Sequence, residues 1–109
     1  MLELREYLMA DGRSPYAAWF ARWNKEAAVK VAAALARVQQ GNSSNAKGVG
    51  AGVYECRIDF GPGYGINFGK DGDRMVILVG GGTKKRQEED IQTAVARRQD
   101  YKRRRGAGG

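Results

Sequence analysis

Residues 53–68 read VYECRIDFGPGYGINF, and their alternation decides the fold. Tyr54, Cys56, Ile58 and Phe60 recur at every second position, with Glu55, Arg57 and Asp59 between them. That period predicts a strand with one apolar and one polar face. Gly-Pro-Gly at 61–63 turns the chain, and Tyr64, Ile66 and Phe68 resume the alternation. Asp71-Gly72 is a hairpin signal before Met75–Val79. Three antiparallel strands in a meander are expected. The third, MVILV, has no polar face, which predicts a central strand covered on both sides.

Upstream the period changes. Ser14-Pro15 supplies an N-cap and a proline at the first helical position, and Tyr16, Trp19, Phe20 and Trp23 follow at helical spacing. Such a stripe fits packing against a core better than an exposed platform for bases. Asn24 caps a second helix with Ala28, Val31, Leu35 and Val38 on its apolar seam, and Gly41 ends it. Residues 14–40 therefore read as a helical hairpin. Residues 2–8 alternate loosely enough to form a strand, and the glycine-rich segment 41–52, with its single cation Lys47, reads as a surface loop. A third helix is expected over 87–101, with only Ile91 and Val95 as sizeable apolar residues, so it packs loosely or is completed by another chain.

Charge narrows the functional classes. Nineteen Lys and Arg stand against twelve Asp and Glu in 109 residues, a net charge of +7, which favours an anionic partner. Residues 84–105 hold nine cations and four carboxylates, so the charge gathers towards the C-terminus. A single cysteine, Cys56, permits neither an internal disulfide nor a thiolate metal cluster. Histidine is absent, which removes imidazole catalysis and histidine-ligated metals. No apolar run is long enough for a membrane helix, and the charged start MLELREYLMADG argues against a signal peptide, so a cytoplasmic protein is expected. In VILVGGGTKKRQ, at 76–87, glycines precede Lys84, Lys85 and Arg86. The spacing does not match a Walker loop. Two readings remain: a loop that lets a polynucleotide phosphate approach, or a tight exit from a central strand.

The motif order DGRSPY…W at 11–19, ALARV…GN at 34–42, VYECRIDFGPGY at 53–64, KDGDR at 70–74 and GGTKKRQEEDI at 81–91 resembles the RelE/HigB-like addiction module killer protein family, within the RelE/ParE toxin superfamily. The resemblance implies an α+β fold: an N-terminal helical hairpin packed on a small twisted antiparallel sheet, followed by a C-terminal helix. It implies one toxin domain over 1–101 with a basic, Gly-rich tail at 102–109. It also implies a type II toxin that cleaves mRNA on the ribosome, with no metal or other cofactor, no small-molecule substrate, and a cognate antitoxin as partner. Cleavage in this class resembles attack of a 2′-hydroxyl on the adjacent phosphate, and crowding of Lys84, Lys85 and Arg86 is a means of lowering a lysine's pKa for that task.

By the family's motifs, Arg57 and Lys84 are the expected catalytic cations and Lys85 an auxiliary. Lys47, Arg86, Lys102 and Arg103 are expected RNA contacts. Gly65 stands where the family usually has an arginine, which implies weakened activity that Gly65→Arg should restore. The alternatives are a gyrase inhibitor of the ParE kind and a non-toxic basic module that binds nucleic acid.

Overall fold

The computed structural model describes residues 1–42 and 44–108. In chain order the elements are β1 (Glu3–Glu6), α1 (Pro15–Phe20), α2 (Lys25–Gln39), β2 (Ala46–Gly50), β3 (Val53–Ile58), β4 (Tyr64–Asp71), β5 (Met75–Thr83), a short 3-10 turn (Lys84–Arg86) and α3 (Gln87–Gly108). The five strands form one sheet in the order β1-β5-β4-β3-β2. β2 through β5 are antiparallel neighbours, whereas β1 runs parallel to β5.

This corrects the expected architecture. The chain opens on a strand and not on a helical hairpin, and the sheet is mixed and five-stranded. Leu2 and Leu4 pack against the core while Glu3 and Arg5 stay in solvent, which makes residues 3–6 a suitable edge strand. Its partner lies some seventy residues away, and local sequence carries no signal for that pairing. The glycine-rich segment also differs from the expected loop: residues 46–50 form the edge strand β2. Hydrogen bonds to β3 need no side chains, and Gly50, Ala51 and Gly52 supply three consecutive positive φ angles for the turn between them. Ser43, within that segment, and Gly109 lie outside the described residues.

The meander over 53–79 forms as expected, and β5 is an interior strand between β1 and β4. Its Val76 and Leu78 enter one core, and Ile77 and Val79 enter another. In the first core α1 packs on β5 and α2 on β3. Both helices start as their sequences direct. The Ser14 hydroxyl accepts from the Ala17 amide at 3.0 Å and the Asn24 side chain from the Ala27 amide at 2.9 Å. Tyr16 and Trp19 are buried there, Tyr16 against Trp19 and Phe20 and Trp19 against Tyr64 and Trp23, so the aromatic stripe is core.

The opposite face is covered by α3, which continues past residue 101 to Gly108. Among the side chains described for this helix only Ala94 is buried, with Val95 and Tyr101 partly covered. Polar contacts supply the rest of the attachment. The Arg97 guanidinium donates to the Val79 carbonyl at 2.9 Å, Gln87 Nε2 to Glu55 at 2.8 Å and Tyr101 Oη to Asp71 at 2.7 Å. Burial holds Arg97 below the usual guanidinium pKa.

The three glycines of 80–82 lie within β5, not in a loop. Gly81 pairs with Ile66 and Gly82 with Gly65. A Cβ on Gly81 would stand 2.5 Å from the Trp19 ring, one on Gly82 would overlap the Asp90 carboxylate, and one on Gly80 would meet the Arg97 guanidinium at 2.6 Å. These glycines admit side chains from the helices on both faces. The run is thus neither a loop nor a tight exit from the strand, but part of the paired strand itself.

Candidate functional site

Two turns meet at one end of the sheet. The amide of Lys84 donates to the carbonyl of Gly63 at 3.2 Å, which ties the 3-10 turn to the Gly-Pro-Gly turn. Across the strands Arg57 pairs with Gly65, and Gly65 with Gly82, so a row with few side chains separates Arg57 from the start of α3. The result is a cavity of about 300 Å³ whose lining includes Arg57, Asp59, Tyr64, Gly65, Lys84 and Gln87. Arg57 and Lys84 are 27 residues apart in sequence and share it.

Glu55 is the buried carboxylate of this site, 4% exposed. Its carboxylate accepts from Gln87 Nε2 at 2.8 Å and from Arg57 Nε at 3.2 Å. The Arg57 side chain itself is half exposed, so its guanidinium is oriented by Glu55 while remaining open to a ligand. Gly65 is the space that Glu55 occupies. A Cβ there would stand 2.8 Å from Glu55 Oε2 and 3.2 Å from its Cγ. An arginine at 65 therefore requires this carboxylate to leave its two donors.

A second cavity of about 550 Å³ adjoins the first through Arg57, Ile58 and Asp59. Lys30 and Arg37 enter it from α2, and Lys47 enters it from β2. Together the two cavities make a groove carrying five cations, Lys30, Arg37, Lys47, Arg57 and Lys84, with Glu55 and Asp59 as the carboxylates in their linings. Reading the sequence missed Lys30, Arg37, Asp59 and Gln87. The available signal for the first two was their place two helical turns apart along one flank of the apolar seam of α2.

The remaining expected residues disperse. Lys85 is exposed beside Lys84 but does not line either cavity, and Arg86 donates to Glu89 at 2.9 Å, which holds its pKa up. Lys102 and Arg103 lie near the far end of α3. Asp90, in the first turn of α3, is held above the usual carboxylate pKa by desolvation, partly offset by Arg86. The thiol of Cys56 is buried and pushed up by that burial, which leaves it unsuited to nucleophilic use.

Among the described residues no helix is long and apolar enough to cross a membrane. Comparison of the sequence with models of known protein families finds no match, and comparison with curated proteins finds none either.

Proposed function

We propose that this protein is the toxin of a type II toxin–antitoxin module of the RelE/HigB-like kind, a metal-independent endoribonuclease that cuts mRNA on the ribosome. The observation that carries the reading is the shared cavity: Arg57 and Lys84, remote in sequence, line one recess with a half-exposed guanidinium and an exposed ammonium. The motif order supplies the family, and the net charge of +7 supplies the affinity for a polyanion. Its site of action is the cytoplasm, and a cognate antitoxin covers the groove.

The reaction is an internal transesterification. The ribose 2′-oxygen forms a bond to the adjacent phosphorus while the bond from phosphorus to the 5′-oxygen breaks, leaving a 2′,3′-cyclic phosphate and a 5′-hydroxyl. Arg57 and Lys84 stabilise the charge on the non-bridging oxygens of the pentavalent phosphorus. The carboxylate of Asp59, exposed in the same lining, takes the 2′-hydroxyl proton, and the Lys84 ammonium protonates the departing 5′-oxygen. Lys47, Arg37 and Lys30 hold the flanking backbone. Glu55 orients Arg57, and Gly65 leaves the site without a further cation.

The test is primer extension on an mRNA incubated with ribosomes and the purified protein. New 5′ ends that depend on the protein support the reading. Arrested growth with intact mRNA would redirect it to a protein target such as gyrase, and neither arrest nor cleavage would leave a basic binding module.

A further inference from the structure

The end of the β3–β4 pair remote from Arg57 holds a second concentration of cations. There α3 presents Arg98, Lys102 and Arg105, at i, i+4 and i+7 along one side of the helix, to the turn at Lys70–Gly72. Together they bound a cleft of about 230 Å³.

Arg98 is built into this cleft by the backbone. A Cβ on Gly52 would stand 2.5 Å from its Cζ, and one on Gly69 would stand 3.0 Å from its Cδ. The β2–β3 turn and β4 thus each carry glycine where the arginine crosses them. Its Nε is buried with no hydrogen-bond partner, and among the described residues no carboxylate pairs with it. That N–H lacks the acceptor that would offset its burial. Asp71 is the carboxylate in the lining, and it is already engaged: it accepts from Tyr101 Oη at 2.7 Å and pairs with Arg105 at 2.9 Å. Lys70 is held with its ammonium 4.7 Å from the centre of the Tyr54 ring. Four cations therefore face one occupied carboxylate.

We propose that this cleft is a phosphate-binding site centred on Arg98, separate from the Arg57–Lys84 cavity. Its planar fork suits the tetrahedral oxygens of phosphate, with Lys102 and Lys70 as flanking charges. A free phosphate and a phosphodiester of RNA offer the same oxygens, so the chemistry is common to both sources. The inference does not rest on the nuclease reading, because binding here requires no cleavage.

Two probes test it: inorganic phosphate, followed through the Arg98 Nε–H resonance in a 15N-labelled sample, and a fluorescein-labelled twelve-residue oligouridylate, followed by anisotropy. Phosphate is expected to shift the Arg98 resonance and Arg98→Gln to lose most of the affinity, with Arg98→Lys, which keeps the charge but not the fork, falling between Arg98→Gln and the parent. Lys102→Glu, an exposed change that leaves the core intact, should weaken the oligonucleotide at least fivefold and flatten its salt dependence by about one phosphate contact if RNA is the source. If Lys102→Glu weakens inorganic phosphate alone, the site is one for free phosphate, and the proposal also stands. An Arg98 resonance indifferent to both probes, or an equal loss from Arg22→Gln on the opposite face, would overturn it.

Discussion

Gly81→Ala adds one methyl group to an interior strand, and the structure gives its consequence. The new Cβ would lie 2.5 Å from Trp19 Cδ2 and Cε2, whereas carbon atoms settle at about 3.5–4.0 Å. The ring must therefore retreat by about 1 Å, by subtraction of those contact distances. It has little room to do so. Trp19 is 6% exposed, and Tyr16, Trp23 and Tyr64 stand around it with ring centres 6.0, 5.7 and 6.3 Å away. Overpacking of this kind costs about 1–3 kcal/mol, and a rigid indole among aromatic neighbours belongs at the upper end. At about 4–8 °C per kcal/mol for a domain of this size, the melting temperature should fall by about 10–20 °C. Thermal unfolding followed by circular dichroism measures it, with Gly48→Ala, whose Cβ would meet nothing closer than 3.9 Å, as the control. A Gly81→Ala protein melting within about 2 °C of the parent would refute the close packing of Trp19 on β5.

Gly65→Arg alone should lower stability by about 1–2 kcal/mol, because it displaces the buried Glu55 carboxylate from Gln87 and Arg57; adding Glu55→Ala should recover most of the loss, and chemical denaturation of the two variants compares them. Ala51→Gly relieves a non-glycine residue at φ 52° and should raise stability by up to about 1 kcal/mol; an unchanged urea midpoint would contradict that turn geometry. Asp90 has its folded pKa raised by burial, so the native state binds the proton more tightly than the unfolded chain does. Its contribution to stability is therefore lost as pH rises from the usual carboxylate value through the raised one, and Asp90→Asn should flatten that decline in melting temperature. Asp100 is the opposite case: the hydrogen bond from Tyr7, then those from Arg104 and Arg103, hold its pKa down. The stability it gives is present above the usual carboxylate value and is lost as pH falls through the lowered one, which an Asp100→Asn variant measured across acidic pH should show.

The parts legible in the sequence were those set by neighbours along the chain. Residues 53–68 show period two, Ser14 and Asn24 are local caps, and MVILV is apolar on both faces, so the meander, both helix starts and the interior position of β5 could be read directly. The pairing of β1 with β5 depends on contacts some seventy residues apart, and β2 is held by backbone bonds beneath a glycine-rich composition that reads as loop. The site divides in the same way. Arg57 was legible as the polar face of a strand, and Lys84 as a cation after glycines. That they share a cavity depends on the amide of Lys84 meeting the carbonyl of Gly63, a contact between two turns. Glu55 looked like any solvent-facing carboxylate until α3 covered it, since Gln87 and the glycines that admit it come from other elements.

The most direct measurement is a double-mutant cycle on single-turnover cleavage of an mRNA held in ribosomes, using Arg57→Ala, Lys84→Ala and the pair. Two cations acting on one phosphate predict a loss of about 100-fold or more from each single variant, and a combined loss well short of the product of the two. Cleavage undiminished by either substitution, or losses that simply multiply, would contradict a shared catalytic cavity.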